Sequence, residues 1–386
     1  MAALALAHGA AMADEADALN FTVSQAAYYE SNLYKLADGA QAPGGKRHDR
    51  IAITGLGAAF DRVYSRQRLR AALDVKHTSY AIHDYLDYTA PDARLAWDWQ
   101  VGNHFSGLLS HDYRESLAGF EDVVGVQQTI LLYSRTGASA NYWWHPNWAA
   151  GLGVSSAQSR YKDDARPTSE LDARDLDFNL TYRPASGNTV VLTLRQTDGR
   201  YPGRPAVAGS IRDYQQRDYR LRGEWRLTGA TVISGYLGHT GRSYELAPNR
   251  DFSGVTGRLA LQWVPTAKTS INVSWRRELG ADQDLFNNYA VTNAITLAPN
   301  WAITEKIRLG ATLEYSKRDY GGDPELGFDG TDSTGEDRTR RYGLNLQYQP
   351  MRALQLIAGV QKERRTSALA AREYEAETAW ITGRFA

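Results

Sequence analysis

Arginine recurs at alternate positions of one short run: Arg220, Arg222 and Arg226, with Glu224 among them. Tyr219, Leu221, Trp225 and Leu227 fill positions between. Similar charged rows contain Arg183, Arg195, Arg258, Arg276, Arg308 and Arg341, accompanied by Asp177, Glu278 and Glu314. A guanidinium is a rigid fork of donors that grips carboxylates, phosphates and sugar hydroxyls through several hydrogen bonds. Rows of such groups around a water-filled bore would select and guide a polar or anionic solute. Cross-strand pairing within a wall is the plainer use of the same residues.

Other chemistries find little support. The chain has no cysteine, which removes disulfides, thiolate metal sites and cysteine nucleophiles. The eight histidines form no H-E-x-x-H, and no G-x-S-x-G elbow is present. Gly55-Leu56-Gly57 and Gly151-Leu152-Gly153 lack a third glycine. The acidic run 321–337, with Asp323, Glu325, Asp329, Asp332, Glu336 and Asp337, misses Ca²⁺-loop spacing and reads as a solvated loop. No enzyme activity, cofactor or metal is therefore expected. Lys+Arg and Asp+Glu both number 44, so net charge gives no reason to expect a nucleic-acid partner.

The elements that position the charged rows follow from the same alternation. A strand sends successive side chains to opposite faces. Leu176, Phe178 and Leu180 alternate with Asp177 and Asn179; Leu309, Leu313 and Tyr315 with Arg308 and Glu314; Tyr342, Leu344 and Leu346 with Arg341 and Asn345. No long segment has a helical period, so the chain reads as all-β. Gly, Pro and Asn mark short turns near 61–65, 102–103, 145–147, 184–188, 228–229, 265–268, 299–300 and 350–351. Longer polar stretches such as 32–47, 201–212 and 321–337 lie between them. These eight short turns and nine longer loops imply eighteen strands, with sixteen as the alternative. Expected strands include 84–100, 126–143, 252–264, 287–298 and 336–348.

Strands of about ten residues, greasy on one face, with short turns at one end and long loops at the other, fit a transmembrane outer-membrane antiparallel β-barrel. Propeller blades and sandwiches use shorter strands. The aromatics agree: Trp99, Trp143, Trp148, Trp225, Trp263, Trp301, Tyr182 and Tyr348 gather near the short turns, where a membrane interface would hold them. The N-terminus, with Ala11-Met12-Ala13 after an Ala-rich run, reads as the end of a signal peptide. The expected organisation is a signal remnant over 1–13 and one barrel domain over 14–386.

Four stretches resemble a known family: "LNFTVSQAAYYESNLYKL", "WDWQVGNHFSGLLSHDYRES", "ANYWWHPNWAAGLGVSSAQSRY" and "LTYRPASGNTVVLTLRQTDGRYPGR". They are similar to EpsL-type outer-membrane proteins of exosortase (PEP-CTERM) exopolysaccharide clusters in Gram-negative bacteria. The resemblance implies an outer-membrane barrel that exports an exopolysaccharide. Its partners would be the polysaccharide, outer-membrane lipid and periplasmic export or synthesis components. Residues and resemblance leave two other readings open: a general or oligosaccharide-uptake porin, and a non-transport barrel serving as an anchor or surface enzyme.

Overall fold

The computed structural model describes residues 18–120, 128–162, 165–207, 210–280, 289–321 and 335–386. The proposed signal remnant and most of the 321–337 acidic run, including Asp323, Glu325, Asp329 and Asp332, lie outside the described residues. Eighteen antiparallel strands form one sheet that closes on itself. The strands are β1 (Leu19–Glu30), β2 (Asp49–Tyr64), β3 (Gln67–Tyr80), β4 (Tyr88–Val101), β5 (Phe105–Leu117) and β6 (Ile130–His145). They continue as β7 (Trp148–Tyr161), β8 (Leu171–Tyr182), β9 (Thr189–Arg200), β10 (Asp213–Thr228), β11 (Thr231–Tyr244) and β12 (Phe252–Thr266). The last six are β13 (Thr269–Gly280), β14 (Tyr289–Ala302), β15 (Ile307–Gly321), β16 (Glu336–Met351), β17 (Leu354–Ser367) and β18 (Tyr374–Phe385). Each pairs with its sequence neighbours, and the β1–β18 ladder, Val23↔Phe385 to Glu30↔Thr378, seals the cylinder.

The two faces separate as the alternation requires. Tyr219, Leu221, Trp225 and Leu227 are exposed on the outside, as are Leu176 and Phe178 on β8 and Tyr342, Leu344 and Leu346 on β16. Strand register carries this parity around the wall: Leu221 faces Leu237 on β11 and Leu192 on β9. Closure leaves no backbone edge in hydrocarbon, the condition for strands to span a bilayer.

Several strands depart from their expected ends. β12, β14 and β16 run through Pro265, Pro299 and Pro350, so those prolines lie in strands and the turns follow them. The ladders shift register between Trp263 and Thr266 and between Tyr348 and Met351. Proline lacks the donor a regular ladder needs and settles at such irregularities. The strand expected over 84–100 starts instead at Tyr88, because residues 84–86 form a 3-10 turn. Pro91 fits β4 because the pairing with β5 begins only at Asp92. β6 starts at Ile130, and its expected start at 126 lies outside the described residues. Three short turns are closed by threonine hydroxyls that accept following backbone N–H groups: Thr228, Thr266 and Thr304.

The long-loop end has its own repeat. Four loops contain a 3-10 turn followed by an acid: Asp84–Leu86 and Asp87, Pro167–Ser169 and Glu170, Pro248–Arg250 and Asp251, Ala370–Arg372 and Glu373. Each acid accepts the N–H of the residue ending the preceding strand: Tyr80 at 2.7 Å, Tyr161 at 3.1 Å, Tyr244 at 2.8 Å and Ser367 at 3.3 Å. The carboxylate thus satisfies a donor where the ladder stops.

No central core fills the cylinder's described part; small clusters at the long-loop end take its place. Leu33, Tyr34 and Ala42 of the β1–β2 loop pack with Tyr80 and Leu86. Tyr201 and Ile211 of the β9–β10 loop pack with Tyr214, Tyr244 and Ala247.

Two outcomes test this architecture. Leu221→Arg, at mid-strand on the lipid face, should lower folding stability by about 2–4 kcal/mol in bilayers, against about 0–1 kcal/mol for Leu227→Arg near the interface. Equal costs in reversible unfolding titrations would contradict the lipid belt. Asp251→Ala should speed protease cleavage within 245–251 while the heat-modifiable mobility of the barrel on gels persists.

Candidate functional site: the lumenal wall

The inward parity places the expected charged residues on one surface, but in three different circumstances. Some are locked in pairs. Arg195 grips Asp177 through Nε at 2.5 Å and Nη2 at 2.8 Å, directly across the β8–β9 ladder. Arg258 takes Glu278 through Nε and Nη2 at 3.1 and 2.9 Å. Arg341 bridges Glu363 at 2.7 Å and Glu314 at 3.1 Å. These pairs link neighbouring strands across the wall.

A second group is partly satisfied. Arg220 reaches Asp218 at 3.0 Å and lies 5.0 Å from the Tyr236 ring centroid, with its buried Nε lacking a partner. Arg276 stands 3.8 Å from Glu314. Arg183 sits over the Trp143 ring at 4.9 Å. The third group is Arg222, Glu224, Arg226 and Arg308, none of which has an ion pair among the described residues. Arg226 and Arg308 lie nearest the short turns, Arg222 and Glu224 sit higher on β10, and all four are exposed.

Arg220, Arg276 and Arg318 share a lumenal recess of about 440 Å³ with Gln216, Tyr236, Thr240, Thr256, Glu278 and Thr292. Its floor is rigid. Asp218, 1% exposed, accepts from Thr240 at 2.5 Å and from Gln216 at 2.9 Å, and Thr240 bonds Thr256 at 2.8 Å. The Tyr236 hydroxyl donates to Glu278 at 3.2 Å. The recess therefore combines guanidinium forks, hydroxyls, an amide, one aromatic face and the Glu278 carboxylate on one hydrogen-bonded wall.

The aromatics named from the sequence fall on both faces of the wall. Trp148, Trp225, Trp263, Trp301 and Tyr348 are exposed on the outer face near short turns, and Trp148 packs on Tyr182 with centroids 4.6 Å apart. Trp99 lies across Gly107, its ladder partner. Trp143 is the exception. Tyr142 faces outward beside Phe105, so Trp143 falls on the inner row, where its Nε1 donates to Ser106 Oγ at 3.1 Å. Proximity to a turn did not fix its side; parity did.

Sequence reasoning missed other lumenal groups. Arg70–Asp98, Arg135–Asp175 and Arg365–Asp337 are ion pairs on the inner wall. Trp380 lies inward over Gly359, whose missing side chain leaves room for the indole. Inward tyrosines Tyr80, Tyr161, Tyr214, Tyr244, Tyr320 and Tyr374 are all buried near the long-loop end. Their signal was present: β3, β7 and β11 each end on tyrosine just before a long loop.

The loops add a mouth. Tyr34 bonds the Tyr85 hydroxyl at 2.5 Å, and burial with that contact holds its phenol well above the usual range. Arg204 stacks 3.9 Å from the Tyr201 centroid and donates to Thr168 O at 2.7 Å; burial lowers its pKa. His83 Nδ1 lies 2.8 Å from Asp49, which also accepts the N–H groups of Arg50, Ile82 and His83. That pair ties the β3–β4 loop to the foot of β2.

A closed, lumen-charged cylinder of eighteen strands with a greasy outside matches a known class of solved structures. The chain folds as an outer-membrane porin-type barrel. Pseudomonas aeruginosa OccK2 (OpdF), crystallised in complex with glucuronate, superposes with a TM-score of 0.54 at 10% identity, covering 95% of this chain and 98% of that one. A BenF-like porin from Pseudomonas fluorescens gives 0.52 at 10% identity, and Acinetobacter baumannii OccAB3 gives 0.51 at 8%, with the same coverage of 95% and 98%. At this identity the likeness concerns the fold. The family model described as "Putative beta-barrel porin 2" matches residues 215–385, from early β10 to the end of β18. No curated protein matches the chain.

The paired and unpaired arginines of this porin-type barrel should behave differently. Arg195→Ala leaves part-buried Asp177 without its partner and should cost about 1–3 kcal/mol. Arg222→Ala should stay within about 0.5 kcal/mol of wild type. Denaturant midpoints of the refolded variants give the comparison, and a larger loss for Arg222→Ala would invert the assignment.

Proposed function

We propose that the barrel is a diffusion channel for acidic sugars and short acidic oligosaccharides, taken up through the outer membrane. The observation that carries this reading is the recess lined by Arg220, Arg276 and Arg318, three guanidinium groups against the one carboxylate of Glu278 on the lumenal wall. Bidentate contact with a carboxylate and hydrogen bonds to ring hydroxyls would each find a partner there. Arg222, Arg226 and Arg308 continue the positive lining toward the short-turn end. The glucuronate in the OccK2 crystal supports the same solute class, since that barrel shares the fold.

Export of an exopolysaccharide is the second reading. It rests on the resemblance of the four quoted stretches to EpsL-type proteins, and it would add periplasmic synthesis or export components as partners. An inner surface that offers many weak polar contacts suits passage of a hydrated chain in either direction.

The two readings part in experiment. In planar bilayers the purified protein should form anion-selective channels, and a trigalacturonate should block current at least tenfold more strongly than maltotriose. Arg220→Gln with Arg276→Gln should reduce that discrimination several-fold. Cation selectivity, or equal block by the neutral trisaccharide, would refute the acidic-sugar channel. For export, deletion of the gene should strand polysaccharide in the periplasm; unchanged surface polymer would remove that role.

A further inference from the structure

Outward-facing charges on β15–β18 are arranged unlike those elsewhere on the barrel. Arg340 and Arg364 stand directly opposite each other in the β16–β17 ladder, and both are exposed on the lipid-facing parity. Directly opposed side chains have Cβ atoms about 5 Å apart, and like charges at that spacing repel. No carboxylate forms an ion pair with either guanidinium among the described residues. Glu375 faces Arg364 across β17–β18, but its carboxylate is held by Lys362 at 2.5 Å. Glu377 also turns to Lys362, at 3.4 Å. Glu336 is shared by Lys317 and Arg338, and Asp319 pairs with Lys317. By contrast, Arg160 and Arg200, outward on β7 and β9, have acidic partners in Asp172 and Asp213.

Beneath this pair the apolar belt is notched. On β15 the outward row runs Ile307, Leu309, Ala311, Leu313 and Tyr315 before Lys317. On β17 it runs Leu354, Leu356, Ala358 and Val360 before Lys362, one outward residue fewer. A groove of about 550 Å³ opens there, its apolar lining including Tyr29, Leu313, Tyr342, Leu344, Val360 and Ala379, with Lys362 and Glu377 among its polar members. The opposed guanidinium groups thus stand one outward position beyond the Tyr342 and Lys362 of an apolar groove, at the end of the strands bearing the long loops. In outer-membrane barrels that end faces the cell exterior.

We propose that this patch binds a phosphorylated, acylated glycolipid of the outer leaflet, lipopolysaccharide. A lipid phosphate sits between Arg340 and Arg364 and relieves their repulsion, and one acyl chain lies in the groove. A phosphate with three acceptor oxygens can take hydrogen bonds from both forks at once. The inference concerns the outer surface and does not depend on which solute the lumen carries.

Native mass spectrometry of the detergent-solubilised full chain tests it, with diphosphorylated Kdo2-lipid A and phosphatidylglycerol as probes. The wild type should retain a lipid A adduct and at least tenfold less phosphatidylglycerol. R340Q/R364Q should lower adduct occupancy at least tenfold, while R217Q, an outward arginine on β10, should leave it unchanged. Ala379→Trp fills the groove without altering charge and should also lower it. If the double variant fails to assemble, each single substitution serves in its place. An undiminished adduct in the arginine or groove variants, equal loss in R217Q, or equal retention of phosphatidylglycerol would overturn the site.

Discussion

Everything in this structure depends on closing the backbone hydrogen-bond ladder between the first strand and the last. In hydrocarbon an unpaired N–H or C=O costs several kcal/mol. An open eighteen-stranded sheet would leave two such edges. The β1–β18 ladder over Val23–Glu30 removes them, joining segments more than 340 residues apart in sequence. Once the ring is closed, the two faces must differ, since one meets lipid and the other encloses water. The alternation of side chains is the molecule's answer to that condition.

Closure also explains how the lumen handles charge. The inner wall is wet but partly shielded, so an ion pair there is worth more than on an open surface and costs less than in a dry core. Arg195–Asp177 and Arg341–Glu363 use that intermediate setting to bind neighbouring strands together. Arg222, Arg226 and Arg308 are left to the solvent of the bore. The wall thus combines charges that pair across strands with charges that have no ion pair among the described residues, and sequence position alone does not distinguish them.

The long-loop end is organised by a repeated device rather than by a core. A residue at the end of a rising strand, usually tyrosine, offers its N–H to an acid that follows a 3-10 turn, and the tyrosine ring is buried on the inner row. This shapes the mouth with local contacts, at low loop-closure cost. The first and fifth long loops add apolar residues to those rings, so the entrance is lined by packed aromatic and arginine side chains.

Strand number, the alternation of short and long connections, and the outward faces of β8, β10 and β16 were determined by the sequence itself, because a period of two and turn-forming residues are local properties. So was the gathering of Trp148, Trp225, Trp263, Trp301 and Tyr348 near short turns. The strand ends at Pro265, Pro299 and Pro350 were not, since whether proline ends a strand depends on the ladder beside it. Trp143 shows the same limit: turn proximity is visible in one dimension, but the side of the wall depends on register with β5. Which arginines are paired, and the meeting of Arg220, Arg276 and Arg318 or of Arg340 and Arg364, were decided only by tertiary structure. Residues far apart in sequence are brought side by side through cross-strand register, and that register is set when the whole ring closes.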